Sequence, residues 1–241
     1  MADAAGPRPP RDLRVVQVTP GDRPGAATAR LVESALEGGV TAVVLRERAL
    51  APDELRALAR RVRQATRRVG AALIVSNDVD LALEVQADGV QLGFGGGTVA
   101  DARRRLREAG RSPWVLRSTH WPPDDEDRAA DVLALSPFGA TLRSHARPRL
   151  TPGQVAAVLE AAGARPVVAL GGLTAREVGA LPRELAGVAV VRALSEAADP
   201  AAAARELRAA VERRGLGASP GGRAPDPPAG AADTAGDEAS R

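Results

Sequence analysis

Short apolar runs recur along the chain at Val15–Val18, Val40–Leu45, Ala71–Val75, Gly89–Leu92, Trp114–Leu116, Val132–Leu135, Val167–Leu170 and Val188–Val191. Each is too short for a helix, and their valine content suits strands buried on both faces, as in a parallel sheet. Amphipathic stretches separate them. In the second, Leu55, Leu58, Ala59, Val62 and Val69 share one helical face. Pro52 and Asp53 stand where that helix opens, and Thr151 and Pro152 repeat the arrangement. Thr174 takes the N-cap place directly after Gly171-Gly172. Alternating strands and helices imply parallel strands with right-handed crossovers. Eight units in about 200 residues predict an α/β fold of the (β/α)8 TIM-barrel type, as a single domain over residues 13–214. A doubly wound open sheet is the alternative; its GxGxxG loop is absent, and Gly95-Gly96-Gly97 lacks that spacing.

Residues 1–12 are Ala, Gly, Pro and charge, and read as a flexible arm. From residue 215 to 241 Leu216 is the only large aliphatic residue, so this stretch reads as a disordered tail. A loose echo links GGVTAVVL, QADGVQLG and ELAGVAVV, each with its small residue or Gly-Val at a strand start.

Composition narrows the function classes. At 241 residues and 44% hydrophobic content the chain can bury one full core. It has no run of 18 apolar residues and no charged-then-apolar leader, so no membrane partner and a cytoplasmic location are expected. Without Cys there is no thiolate chemistry, and two His do not suggest a multi-His zinc site. All 33 basic residues are Arg, yet the net charge is only +3. An Arg where a relative has Lys is therefore weak evidence of altered function. Aromatic content of 2%, with no Tyr, leaves no stacking platform, and no nucleic-acid partner is expected.

On this fold chemistry gathers at the C-terminal strand ends. Strand two ends VVLRER. Alternation puts Val44, Arg46 and Arg48 on one face and Leu45 and Glu47 on the other. With Leu45 packed toward the helices, both arginines face the mouth and suit a phosphate or diphosphate; a solvated Arg-Glu-Arg rim is the bland alternative. Asn77 and Asp78 follow strand three: Asp78 is a candidate Mg²⁺ ligand, and either residue could instead cap the next helix. Strand five ends with Ser118, a phosphate donor, and His120, an acid–base group or a structural histidine, on one face. The loop after strand six brings Thr141, Arg143, Ser144, His145 and Arg147, a donor set fit for a flap over an anion or a plain basic loop. Gly171-Gly172, if more than a tight turn, lets backbone N–H groups approach an anion, and the last two strand ends of such a barrel form its usual phosphate site.

The strand-end pieces GGVTAVVLRER, SNDVDLAL, ADGVQLG, RSTH, SPFGAT, PVVALGGL and GVAVVRAL, in this order from Val15 to Val211, resemble the thiamine phosphate synthase and thiazole tautomerase (TenI-type) family. The resemblance implies a TIM barrel holding a thiazole phosphate at the Gly171-Gly172 and Val191-Arg192 backbone. In synthases it also implies capture of a pyrimidine diphosphate with Mg²⁺ and carbon–nitrogen bond formation.

Several positions depart from that pattern. Where synthases carry Gln, Lys and Ser, this chain has Val44, Arg48 and Arg192. Their Gly-Gln-x-Asp segment is replaced by Gly93-Phe94-Gly95-Gly96, which removes the second Mg²⁺ carboxylate. In the loop after strand six Pro137 and Thr141 fit the synthase pattern, whereas Arg143 and Ser144 do not. Arg-Glu-Arg, Val-Gln-Leu and Arg-Ser-x-His look more like the tautomerase branch, whose acid–base His aligns with Pro137; His120 or His145 would have to substitute. The sequence thus puts a tautomerase-like thiazole phosphate protein first. An active synthase with Mg²⁺ comes second, and a catalytically silent phosphate-binding barrel third. Mg²⁺ belongs only to the synthase reading. The oligomeric state stays open.

Overall fold

A computed structural model of the chain describes residues 12–93, 95–139 and 148–217. Among them eight strands alternate with helices: β1 (Val15–Val18), α1 (Gly25–Glu37), β2 (Ala42–Leu45), α2 (Pro52–Val69), β3 (Ala72–Ser76), α3 (Val79–Glu84), β4 (Gly89–Leu92) and α4 (Val99–Glu108). Then follow β5 (Trp114–Thr119), α5 (Asp125–Ala129), β6 (Val132–Leu135), α6 (Pro152–Ala162), β7 (Val167–Leu170), α7 (Ala175–Val178), β8 (Gly187–Val190), α8 (Arg192–Ser195) and α9 (Pro200–Arg214). Each strand pairs in parallel with the next, and β8 returns to β1. The barrel is closed, as the eight apolar runs predict.

Closure follows from strands that are apolar on both faces. Val16, Val44, Ile74, Leu116, Val168 and Ala189 point inward as one cluster. Their neighbours, such as Val15, Val43, Leu73, Leu133 and Val188, point outward and pack with the buried faces of the helices. Each fully buried aliphatic side chain contributes roughly 1.5–3 kcal/mol. A cavity of about 10 Å³ lies inside the barrel, lined among others by Val44, Gln91, Leu116 and Leu170. Such a filled interior leaves a ligand only the rims.

At the N-terminal rim one device repeats. Thr41 accepts the Val15 N–H at 3.1 Å, Asp88 the Leu73 N–H at 2.8 Å, and Asp131 the Val115 N–H at 2.8 Å, each through a side-chain oxygen. All three residues directly precede an even-numbered strand. Arg63 of α2 also grips Asp88, and Arg103 of α4 grips Asp131. The fourth such place, beside Val167 in the register, is Ala186, whose methyl accepts nothing. The device does not follow the echo among strand starts: it occurs at β6, outside the echo, and is missing at β8, within it.

The helix starts fall where the capping residues put them. Pro52 is in the first turn of α2, and Thr151 and Thr174 cap α6 and α7 in reciprocal capping boxes. Four boundaries are corrected. Val69 is not on the buried face of α2 but 55% exposed; it is the last helical residue before Gly70 turns into the left-handed region. β5 runs on to Thr119 because its outer residues stay paired with β6. Asp12 belongs to the fold rather than to the arm, accepting hydrogen bonds from the backbone and guanidinium of Arg14. Residues 215–217 likewise belong to the fold: Gly215 ends α9, Leu216 is buried in the core, and Gly217 donates to the Leu185 carbonyl at 3.1 Å. The remainder of the expected arm and tail lies outside the described residues.

Candidate functional site at the barrel mouth

The C-terminal ends of β2 to β5 present side chains. Past β2 the alternation continues: Arg46 is half-buried and Arg48 exposed, whereas Glu47 is only 7% exposed. The solvated Arg-Glu-Arg rim is thus corrected at its middle residue. Burial pushes the Glu47 carboxyl up from the ordinary glutamate range. The Thr19 side chain and the Gly21 N–H pull it back, Asp22 pushes it further up, and Arg46 lowers it. The backbone N–H of Arg46 donates to the Thr19 hydroxyl oxygen at 2.8 Å.

After β3, Asn77 takes a positive φ of 58°, a conformation Asn tolerates better than most residues. Its Oδ1 accepts the Gly93 N–H at 2.8 Å, tying the ends of β3 and β4 together. Asp78 is the N-cap of α3, and its Oδ1 accepts the Leu81 N–H at 2.9 Å. The capping alternative for this residue is therefore realised. Among the described residues no group of three or more His, Asp or Glu could hold a metal ion.

Ser118 and His120 both face the mouth, yet neither stands alone. The Gln91 amide of β4 donates to the Ser118 hydroxyl at 2.9 Å. His120 Nδ1 lies 2.9 Å from the Ser136 carbonyl oxygen and 3.2 Å from its hydroxyl. A carbonyl only accepts, so the contact with the Ser136 oxygen calls for a proton on Nδ1. Gln91 and Ser136 escape a reading of strand ends alone; alternation could have found Gln91, which shares the inward parity of β4.

Beyond β7 and β8 the mouth is lined by backbone. Gly171 and Gly172 have φ of 105° and 65°. The segment after β6 lies against them: Phe138 N–H donates to the Leu170 carbonyl at 3.1 Å and Gly139 N–H to that of Gly171 at 2.6 Å. A Cβ on Gly139 would overlap the Gly172 carbonyl, so the approach requires glycine. The register pairs Leu170 with Ala189, which puts Gly172 level with Val191 two residues on. Arg192 and Ala193 open α8, ahead of its first intrahelical donors Leu194 and Ser195. The structure thus groups Arg46, Arg48, Asn77, Asp78, Ser118 and His120 on one arc, and Gly171, Gly172, Val191 and Arg192 on the other. Thr141, Arg143, Ser144, His145 and Arg147 lie outside the described residues.

A family model described as thiamine monophosphate synthase matches residues 15–194. The thiamine-phosphate synthase of Haloquadratum walsbyi is 36% identical over 208 residues, covering 83% of this chain and 92% of that one. That of Moorella thermoacetica is 35% identical over 213 residues, covering 85% and 98%. A solved thiamine phosphate pyrophosphorylase from Pyrococcus furiosus superposes with a TM-score of 0.72 at 29% identity, over 85% of this chain and 98% of that one. A 3-hexulose-6-phosphate synthase from Salmonella typhimurium, at 16% identity and a TM-score of 0.62, shares the fold.

Proposed function

This chain belongs to the thiamine monophosphate synthase family, and we propose that it is a working synthase of thiamine biosynthesis, joining a thiazole phosphate to a pyrimidine diphosphate. The thiazole ring nitrogen bonds to the exocyclic carbon of the pyrimidine, and the carbon–oxygen bond to diphosphate breaks with its electron pair leaving on oxygen. The observation that supports this reading is the division of the mouth into two arcs, the side chains of β2 to β5 on one and the backbone after β7 and β8, with Gly171-Gly172, on the other. Arg46 and Arg48, with Asn77 and Ser118, offer charge and donors for a diphosphate. Backbone N–H groups at Gly171, Gly172, Val191 and Arg192 suit the smaller phosphate. Relatives named as synthases favour this reading over the tautomerase, which the strand-end motifs alone put first. A cytoplasmic setting accords with small phosphorylated substrates.

The family implies Mg²⁺. Asp78 fits it as a hard oxygen donor at the mouth, though one carboxylate oxygen already caps α3. Mg²⁺ commonly uses one or two carboxylates, with phosphate and water completing its shell. Held by Asp78 and the substrate diphosphate, it would neutralise charge on the leaving group. On the protein side, Arg46 and Arg48 neutralise the same charge, and Asn77 fixes the loop that flanks it.

The test is turnover of thiazole phosphate and hydroxymethylpyrimidine diphosphate with Mg²⁺, the product read after oxidation to its fluorescent form. Product that disappears with chelator is expected. No product from a folded sample would overturn the synthase. His120, held through Nδ1 by Ser136, favours one second reading, proton transfer on a thiazole carboxylate phosphate. Conversion of that compound without Mg²⁺ would establish it, and binding without either turnover would leave a silent barrel.

A further inference from the structure

Strand two sets a carboxylate between the two arginines assigned to the anion, and its surroundings are not those of a solvated side chain. Glu47 is 7% exposed. Its Oε1 accepts the Gly21 N–H at 3.3 Å, and its buried Oε2 has no hydrogen-bond partner among the described residues. An ionised oxygen left so is costly. A Leu or Val on this outward face would avoid that cost.

What the carboxylate touches explains its use. Thr19, fully buried at the end of β1, donates its N–H to the Val44 carbonyl at 3.0 Å and takes the Arg46 N–H on its hydroxyl at 2.8 Å. The same Thr19 side chain lowers the Glu47 carboxyl against the effect of burial. Gly21 has a φ of 77°, and a Cβ there would lie 2.8 Å from the Arg46 carbonyl oxygen and 3.7 Å from its Nη1. The β1–α1 turn therefore rests on both the backbone and the guanidinium of Arg46. Glu47 adds a side-chain fastening of this turn to β2 through the Gly21 N–H.

We propose that Glu47 is a positioning residue of the mouth: by pinning the turn at Gly21 to the end of β2, beside the Thr19 hydroxyl that holds the Arg46 N–H, it fixes where Arg46 meets a diphosphate. The role rests on the synthase reading, in which Arg46 binds that group. It makes a selective prediction, because the thiazole phosphate is assigned to the arc of β7 and β8, away from the end of β2.

Calorimetric titration of the full chain with inorganic diphosphate, and separately with thiazole phosphate, tests it without requiring turnover. Glu47→Ala is expected to weaken diphosphate about tenfold and thiazole phosphate less than about twofold. Glu47→Gln, which keeps the acceptor oxygen, should recover most of the loss. Thr19→Val, which removes the hydroxyl at nearly constant shape, should show the same selectivity if Glu47→Ala does not fold. Equal losses for both ligands, or unchanged diphosphate binding, overturn the role alone. A wild-type protein that takes up neither ligand overturns the reading of the mouth, and this role with it.

Discussion

Asn77 Oδ1 accepts the Gly93 N–H at 2.8 Å and fills the space that a Cβ on Gly96 would need. The two positions are coupled: where a side chain stands at 96, the Asn77 amide cannot keep this place. The resemblance expects an Asp at 96, so the lost carboxylate and the Asn77 geometry belong together. Gly96→Asp should cost roughly 1–3 kcal/mol through overpacking. In a chain of this size that lowers Tm by several degrees, at about 2–4 °C per kcal/mol. Adding Asn77→Gly removes the overlap and keeps the positive φ available, so the double variant should melt above the sum of the two single losses. Thermal melts of the four proteins give the coupling. Strict additivity would show that the two side chains do not compete for one space.

Asp78 combines a structural duty with its proposed metal duty, and two substitutions separate them. Asn caps a helix about as well as Asp. Asp78→Asn should therefore keep Tm within a degree or two while raising the Mg²⁺ concentration needed for half-maximal turnover about tenfold. Asp78→Ala loses the cap as well, a further cost of about 1 kcal/mol. An unchanged Mg²⁺ requirement in Asp78→Asn would leave Asp78 as a cap only.

The fold was legible because each strand is buried on both faces, which turns β1 to β8 into near-continuous valine-rich runs. Helix starts were legible wherever Pro or Thr marks them locally, as at Pro52 and Thr151. Periodicity failed at Val69 because a face assignment assumes that the helix continues over the core, and α2 stops there. The mouth was half legible. Alternation put Arg46, Ser118 and His120 on the inward parity of their strands and Glu47 on the outward one, the parity the burial of Glu47 follows. It could not say that the turn at Gly21, 26 residues distant, would cover Glu47. The same holds for Gln91 with Ser118, 27 residues apart, and His120 with Ser136, 16 apart. These pairings come from barrel closure, and local pattern does not contain them.

The clamps at the N-terminal rim make a stability prediction. Asp131 is the acceptor for the Val115 N–H and a partner of Arg103, so Asp131→Ala strands a backbone donor and leaves the guanidinium only the Ala129 carbonyl. A loss of roughly 1–3 kcal/mol is expected, and about the same for Asp88→Ala. Ala186→Thr runs the other way, offering an acceptor beside Val167 as Thr41 does beside Val15. A gain of about 0.5–1.5 kcal/mol is expected, read as a higher urea midpoint at unchanged slope. A lower midpoint would mean that the last strand start lacks the geometry of the other three.

Glu47 ties stability to pH in a direction opposite to Asp12, Glu33, Asp124 and Glu177. Burial first of all, then repulsion from Asp22, holds its carboxyl above the ordinary range in the folded protein, against the pull of Thr19, Gly21 and Arg46. The folded chain thus binds this proton more tightly than the unfolded chain does. Its contribution is fully present below the ordinary glutamate range and is lost as pH rises through the raised value. Glu33 and Asp124, lowered by hydrogen bonds to Arg61 and to the Asp127 backbone respectively, act in the other sense and are common to wild type and variant. Subtracting the Tm of wild type from that of Glu47→Gln therefore isolates Glu47. The difference should be small near about pH 4 and grow in favour of the variant toward about pH 7, where only the wild type must bury a charge. A difference that is flat with pH would mean that the carboxylate is ionised at no cost. One that falls would mean that the Thr19 and Gly21 contacts outweigh burial, and the turn would then be held by charge rather than merely by shape.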